Sequence, residues 1–297
     1  MKRRTELGGV IPATVTPFRE DESIDEEAML RLMDWNLSQG VEAFFIGGSS
    51  AECFLLSSGE RIRTFEIAAQ RKDRALLIAH VGAISTREAE DYARHAVRLG
   101  FDAVAATPPF YYGFSSREIA AYYEDIAQAA GKPVLIYNFP GNTGKPFDLG
   151  DPVTRKLFLS DYILGVKHTN QVVYQMERIR QLNPKLKIMN GFDETMVAGL
   201  ALGADGSIGS TFNFMYPHYH EIYTLFHGGK IEEARLAQVK ANNIMAALCE
   251  AGLIPAIKDV LKRHMGIDVG LPRRPFRGLN PDQQAMLDQV LENNLIS

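Results

Sequence analysis

Short apolar runs alternate with longer segments of helical period along most of this chain. The runs cover residues 10–15, 43–47, 75–81, 103–108, 133–138, 163–169, 187–191 and 206–210. They are nearly continuous, the pattern of parallel strands buried on both faces. Gly206 and Gly209 weaken the last run as a strand. Over residues 26–38, Met29, Leu32, Met33 and Leu37 fall on one helical stripe, and Gly40 follows as a stop signal. Residues 85–99 open on Ser85 and end before Gly100. Residues 116–130 follow Ser115 and end before Gly131. Serine before a helix accepts from its free N–H groups, and glycine after it takes the left-handed cap.

Strand and helix alternating through these eight runs predict a parallel α/β fold, and eight strands are the number that closes a (β/α)8 TIM barrel. From about residue 230 the pattern changes. Helical stretches at 231–251, 254–265 and 281–294 follow with no strand between them, and Pro272, Pro275, Gly278 and Pro281 mark a loop. The chain therefore reads as a barrel over residues 1–229 and a three-helix C-terminal extension over 230–297, packed on the barrel.

The length of 297 residues suits this division, since one such barrel takes about 250 residues. Hydrophobic residues make up 46% and charged residues 23%, enough for an ordinary core. A net charge of −4 is not the basic footprint of a nucleic-acid binder. Cys53 and Cys249 match no metal or redox spacing. No apolar run is long enough to span a bilayer, and no apolar leader segment stands before Gly8. A cytoplasmic protein with a small-molecule substrate, and no nucleic-acid or membrane partner, is the simplest expectation.

In a barrel of this kind the chemistry sits at the carboxyl ends of the strands. The second run leads into Gly47-Gly48-Ser49-Ser50-Ala51-Glu52. Small residues there admit close approach to a ligand, and the Ser49 and Ser50 hydroxyls suit a carboxylate. A plain capped turn has the same composition and, on this segment alone, is the better reading. The fourth run leads to Pro108-Pro109-Phe110-Tyr111-Tyr112, an aromatic cluster of the kind that usually packs.

The sixth run carries the sharpest signal, Lys167 after Ile163-Leu164-Gly165-Val166. Lysine is rarely buried without a purpose or a partner. Desolvation disfavours a lysine's charged form, and the free amine is what condenses with a ketone. A lysine snorkelling to water is the competing reading. Tyr137 ends the preceding strand, so the two side chains meet if their registers match. Asp193 and Glu194 end the seventh run, suiting either a polyhydroxyl ligand or the first turn of the next helix. Gly209-Ser210-Thr211 ends the eighth, where barrels also place phosphate sites.

His218 and His220 are two apart on a helix and point in different directions, so they make a poor metal pair. No metal and no organic cofactor is expected, because an imine supplies its own electron sink. No G-x-G-x-x-G segment follows an early strand, which speaks against a dinucleotide enzyme. A barrel that binds a keto acid without turnover stays open.

These residues resemble the superfamily of pyruvate-dependent aldolases that holds dihydrodipicolinate synthase and N-acetylneuraminate lyase. Gly48-Ser49-Ser50-Ala51-Glu52 is similar to that family's carboxylate-binding turn, Tyr137-Asn138-Phe139-Pro140 to its tyrosine strand, and Gly165-Val166-Lys167-His168-Thr169 to its Schiff-base strand. The resemblance implies that Lys167 forms the imine and Tyr137 relays protons. It also implies a homotetramer, in which Tyr111 completes a neighbour's relay. Residues 190–194 and 209–213 resemble the sialic acid branch. There Thr169 sits beside the cleaved bond, and Gly191, Asp193, Glu194 and Ser210 hold the sugar tail. The synthase branch has an arginine shortly after the tyrosine strand; Gly141-Asn142-Thr143-Gly144 has none. Two departures stand out. Ala51 replaces a usual glycine and is costly if the position needs positive φ, and the effect of His168 is open.

Overall fold

The computed structural model describes residues 4–295. In chain order the strands are β1 (Gly9–Pro12), β2 (Ala43–Ile46), β3 (Leu76–His80), β4 (Ala103–Ala106), β5 (Val134–Asn138), β6 (Ile163–His168), β7 (Lys187–Asn190) and β8 (Gly206–Gly209). The helices are α1 (Glu26–Ser38), α2 (Ser58–Ala69), α3 (Thr86–Leu99), α4 (Ser116–Ala130), α5 (Pro140–Thr143), α6 (Pro152–Leu159), α7 (Tyr174–Leu182), α8 (Met196–Ala201), α9 (Phe212–His227), α10 (Ile231–Ala251), α11 (Leu253–Arg263) and α12 (Pro281–Asn294).

All strand pairs are parallel, in the order β1-β8-β7-β6-β5-β4-β3-β2. The ring closes just past the end of β1, where Ala13 bridges Phe45 and the Thr14 amide donates to the Phe45 carbonyl at 3.0 Å. The expected (β/α)8 barrel is thus the observed fold. The strands are buried on both faces, as their unbroken apolar runs require. Ile11, Phe45, Ile78, Leu135, Met189 and Ile208 fill the interior, and a larger apolar layer joins the barrel to its helices.

Gly206 explains the weakest of the predicted strands. A Cβ there would stand 2.1 Å from the Gly9 carbonyl oxygen, so only glycine lets β8 pair with β1. The helix ends follow their local signals except at Ser85, which stands extended before α3 with no cap hydrogen bond from its side chain. Ser115 caps α4 with a reciprocal Glu118 contact, and Gly100 and Gly131 take positive φ after α3 and α4. Beyond the barrel, α10 packs on α9 and carries α11 and α12. Its Gln238 and Asn242 amides donate to the carbonyls of Asp193 and Glu194, so this helix supports the mouth of β7.

Candidate active site

Tyr137 of β5 and Lys167 of β6 are register partners, one step from the carboxyl ends of their strands. Alternation along each strand turns both side chains into the barrel mouth. Lys167 is only 4% exposed. Its Nζ lies 3.8 Å from the Tyr137 ring centroid and 4.9 Å from that of Phe45. Among the described residues it makes no ion pair. The side-chain nitrogen therefore rests on two aromatic faces rather than on a carboxylate. The Tyr137 hydroxyl reaches past it to Ser49 Oγ at 3.5 Å.

Ser49 and Ser50 sit in a short 3-10 turn after β2. Ala51 does not take positive φ; the left-handed residue is its neighbour Glu52, at φ 59°. The expected cost of alanine at position 51 therefore does not arise. The Ala51 carbonyl accepts from Thr16 Oγ1 at 2.8 Å, which ties the turn to the end of β1.

Beyond the ends of β6 and β7, Thr169 and Gly191 face one another. A Cβ on Gly191 would lie 1.9 Å from Thr169 Oγ1, so glycine makes the room for that hydroxyl. Thr169 Oγ1 is buried with no hydrogen-bond partner among the described residues, and so is Glu194 Oε2. Buried oxygens without a partner are rare, and a polar ligand is one way to satisfy them. Burial pushes the Glu194 carboxyl above its ordinary range.

Asp193 is differently placed. It is buried, and its carboxylate accepts from the Thr211 amide at 2.8 Å, Thr211 Oγ1 at 2.6 Å and Ser210 Oγ at 3.5 Å. It ties the start of α9 to the end of β7 and does not cap the helix that follows it. Burial raises its pKa, opposed by these donors. The carboxylate also occupies the Ser210-Thr211 turn that a phosphate would need, which removes the phosphate reading of that turn. Tyr111 is not brought to the site within this chain. It is 83% exposed, at φ 78°, edge-on to the Tyr112 ring.

Two histidines, His80 and His168, shape the site. His80 is fully buried at the end of β3. Its Nδ1–H donates to the Gly47 carbonyl at 3.0 Å, and its Nε2 accepts from the Thr107 amide at 3.3 Å. Its ring packs edge-on to Tyr137. Burial, with Arg61 adding to it, holds it well below the ordinary histidine range, so it is a neutral tie between three strand ends. His168 accepts at Nδ1 from Asn138 Nδ2 and donates from Nε2 to the Val172 carbonyl, both at 3.1 Å. Burial holds it down to about 4. Its role is to fix Asn138 and the loop after β6. Cys53 is buried beside His80, and burial pushes its thiol up to about 11, so it is no nucleophile. Among the described residues, no three His, Cys, Asp or Glu side chains converge in a way that could hold a metal ion.

Comparison with known proteins shows the family and the fold. The dihydrodipicolinate synthetase family matches residues 6–294. N-acetylneuraminate lyase of Rhizobium meliloti is 40% identical over 286 residues, covering 96% of this chain and 94% of that protein. The CdNal structure of Clostridium difficile, in complex with mannosamine, superposes with a TM-score of 0.93 at 33% identity, covering 98% of this chain and all of that one. N-acetylneuraminate lyase of Fusobacterium nucleatum complexed with pyruvate gives 0.91 at 34% identity, with 99% of both chains covered.

Proposed function

Because the chain belongs to the dihydrodipicolinate synthetase family, we infer that it is a Schiff-base aldolase that cleaves N-acetylneuraminate to N-acetylmannosamine and pyruvate. The observation that carries the mechanism is the buried Lys167 amine, seated on the Tyr137 ring and free of any ion pair among the described residues.

Lys167 attacks the C2 ketone of the open-chain sugar acid and water leaves, giving the imine. Ser49, Ser50 and the turn's amides hold the C1 carboxylate. Tyr137, acting through that carboxylate, takes the C4 hydroxyl proton. The C3–C4 bond breaks, its electrons pass to the protonated imine, and N-acetylmannosamine leaves. The enamine on Lys167 is protonated at C3 and hydrolysed to pyruvate. Thr169 and Glu194 contact the sugar, and Gly191 gives the Thr169 hydroxyl the room to stand there. Asp193 and Ser210 shape that wall.

Residues 1–229 form the catalytic barrel and 230–297 its extension. The protein acts as a cytoplasmic homotetramer in which Tyr111 serves a neighbouring subunit's site. The exposure of Tyr111 at an unfavourable φ supports that placement. Among the described residues, no helix is long and apolar enough to cross a membrane.

The test of substrate class is a comparison of kcat/KM for N-acetylneuraminate and 2-keto-3-deoxygluconate. The account expects the first to be faster. The reverse order moves the enzyme to a sugar acid aldolase with the same lysine chemistry.

A further inference from the structure

A second buried lysine stands behind the keto-acid turn. Lys258, on α11 of the C-terminal extension, places Nζ 2.6 Å from Glu52 Oε1, and the two side chains are 1% and 0% exposed. Glu52 closes the Ser49-Ser50-Ala51 turn, with its amide donating to the Ser49 carbonyl at 3.0 Å. Its other oxygen accepts from the Arg273 amide at 2.8 Å. The Arg273 guanidinium donates to the Leu55 carbonyl and to Glu60, and the Phe18 ring lies 4.2 Å from Lys258 Nζ and 4.6 Å from the guanidinium carbon. The turn is thus held from behind by residues of the extension.

Two features of this arrangement are unfavourable on their own. A left-handed non-glycine residue is strained. A buried ion pair rarely stabilises a fold more than apolar side chains of the same volume would. Burial pushes the Lys258 ammonium down to about 8, against the pull of Glu52. Both features meet at the residue directly after the serine turn, and Ser49 Oγ in that turn faces the Tyr137 hydroxyl.

We propose that Lys258 is a positioning residue for the keto-acid carboxylate, acting through Glu52, so that the C-terminal helices complete the substrate site. The proposal rests on the reading of the Ser49-Ser50 turn as the carboxylate site. Lys258 touches no substrate; it fixes where the turn's hydroxyls and amides stand relative to Lys167 and Tyr137.

The test replaces the pair by apolar residues, Glu52→Leu with Lys258→Met, in the full chain. Borohydride trapping of pyruvate is then titrated in wild type and variant, with circular dichroism and melting as fold checks. The expected result is a folded variant whose half-saturating pyruvate concentration rises about tenfold or more, because small misplacements of binding groups carry costs of that order. A pair with a purely structural role shifts melting and leaves half-saturation unchanged in the folded protein, which overturns the proposal. Wild type that traps no pyruvate overturns the Schiff-base reading, and with it the keto-acid site on which the proposal rests, a distinct failure. Should the leucine variant not fold, the near-isosteric Glu52→Gln with Lys258→Met carries the same titration. If neither folds, hydrogen exchange in wild type decides: amides of residues 49–52 as protected as those of α11 support the clamp, and freely exchanging ones overturn it.

Discussion

Lys167 Nζ lies over the face of the Tyr137 ring, 3.8 Å from its centroid, while the Tyr137 hydroxyl points onward to Ser49. The ring and the hydroxyl of one residue therefore do separate work. The ring seats the amine, and the hydroxyl is available for proton transfer. Tyr137→Phe keeps the seat and removes the relay. Cleavage should fall by about 10²–10⁴-fold, the usual worth of a general acid–base group, while the variant still captures pyruvate under borohydride. Steady-state kinetics and trapping on the same preparation check this. Equal loss of both activities would place the hydroxyl in imine capture instead.

Asp193 and Glu194 are adjacent in sequence but do different things. Glu194→Ala removes a half-buried carboxylate with one unmet oxygen, so KM for the sugar acid should rise about tenfold with melting nearly unchanged. Asp193→Ala strips the Thr211 amide and hydroxyl of their acceptor, and should cost about 1–3 kcal/mol of stability as well. Chemical unfolding of the two variants separates them, and an equally unstable Glu194→Ala protein would contradict the division.

His168 gives the fold a pH dependence of known sign. Burial holds its pKa at about 4 against an ordinary value of 6.5. Between those values the unfolded chain binds a proton that the folded protein refuses. Stability is therefore full above pH 6.5 and falls as pH drops toward 4, by about 3 kcal/mol for this group. His80, also held neutral by burial, acts in the same direction. Melting curves from pH 7 to pH 4 should show a shallower decline for His168→Gln than for wild type, even though the variant starts lower. Parallel declines would remove His168 as the source.

The architecture was legible because its signals are local. The stop at Gly131 and the cap at Ser115 lie next to the helix they bound, and unbroken apolar runs need only their own residues to declare burial on both faces. Lys167 was legible because a charge interrupts such a run near its end. His80 was not, since its partners, Gly47 and Thr107, come from the ends of two other strands. The same holds for the turn at residues 48–52. Its left-handed residue, Glu52, meets Lys258 and Arg273, which arrive only with the C-terminal extension. Asp193 looked like a helix cap because that is the local habit of aspartate; the helix that it serves, α9, begins beyond the next strand.

The most direct test of the central claim is borohydride reduction in the presence of pyruvate, followed by peptide mapping. The account predicts a single stable adduct, confined to the peptide that carries Lys167 and absent from Lys167→Ala. An adduct on another lysine, or a Lys167→Ala enzyme that cleaves N-acetylneuraminate at the wild-type rate, would contradict it.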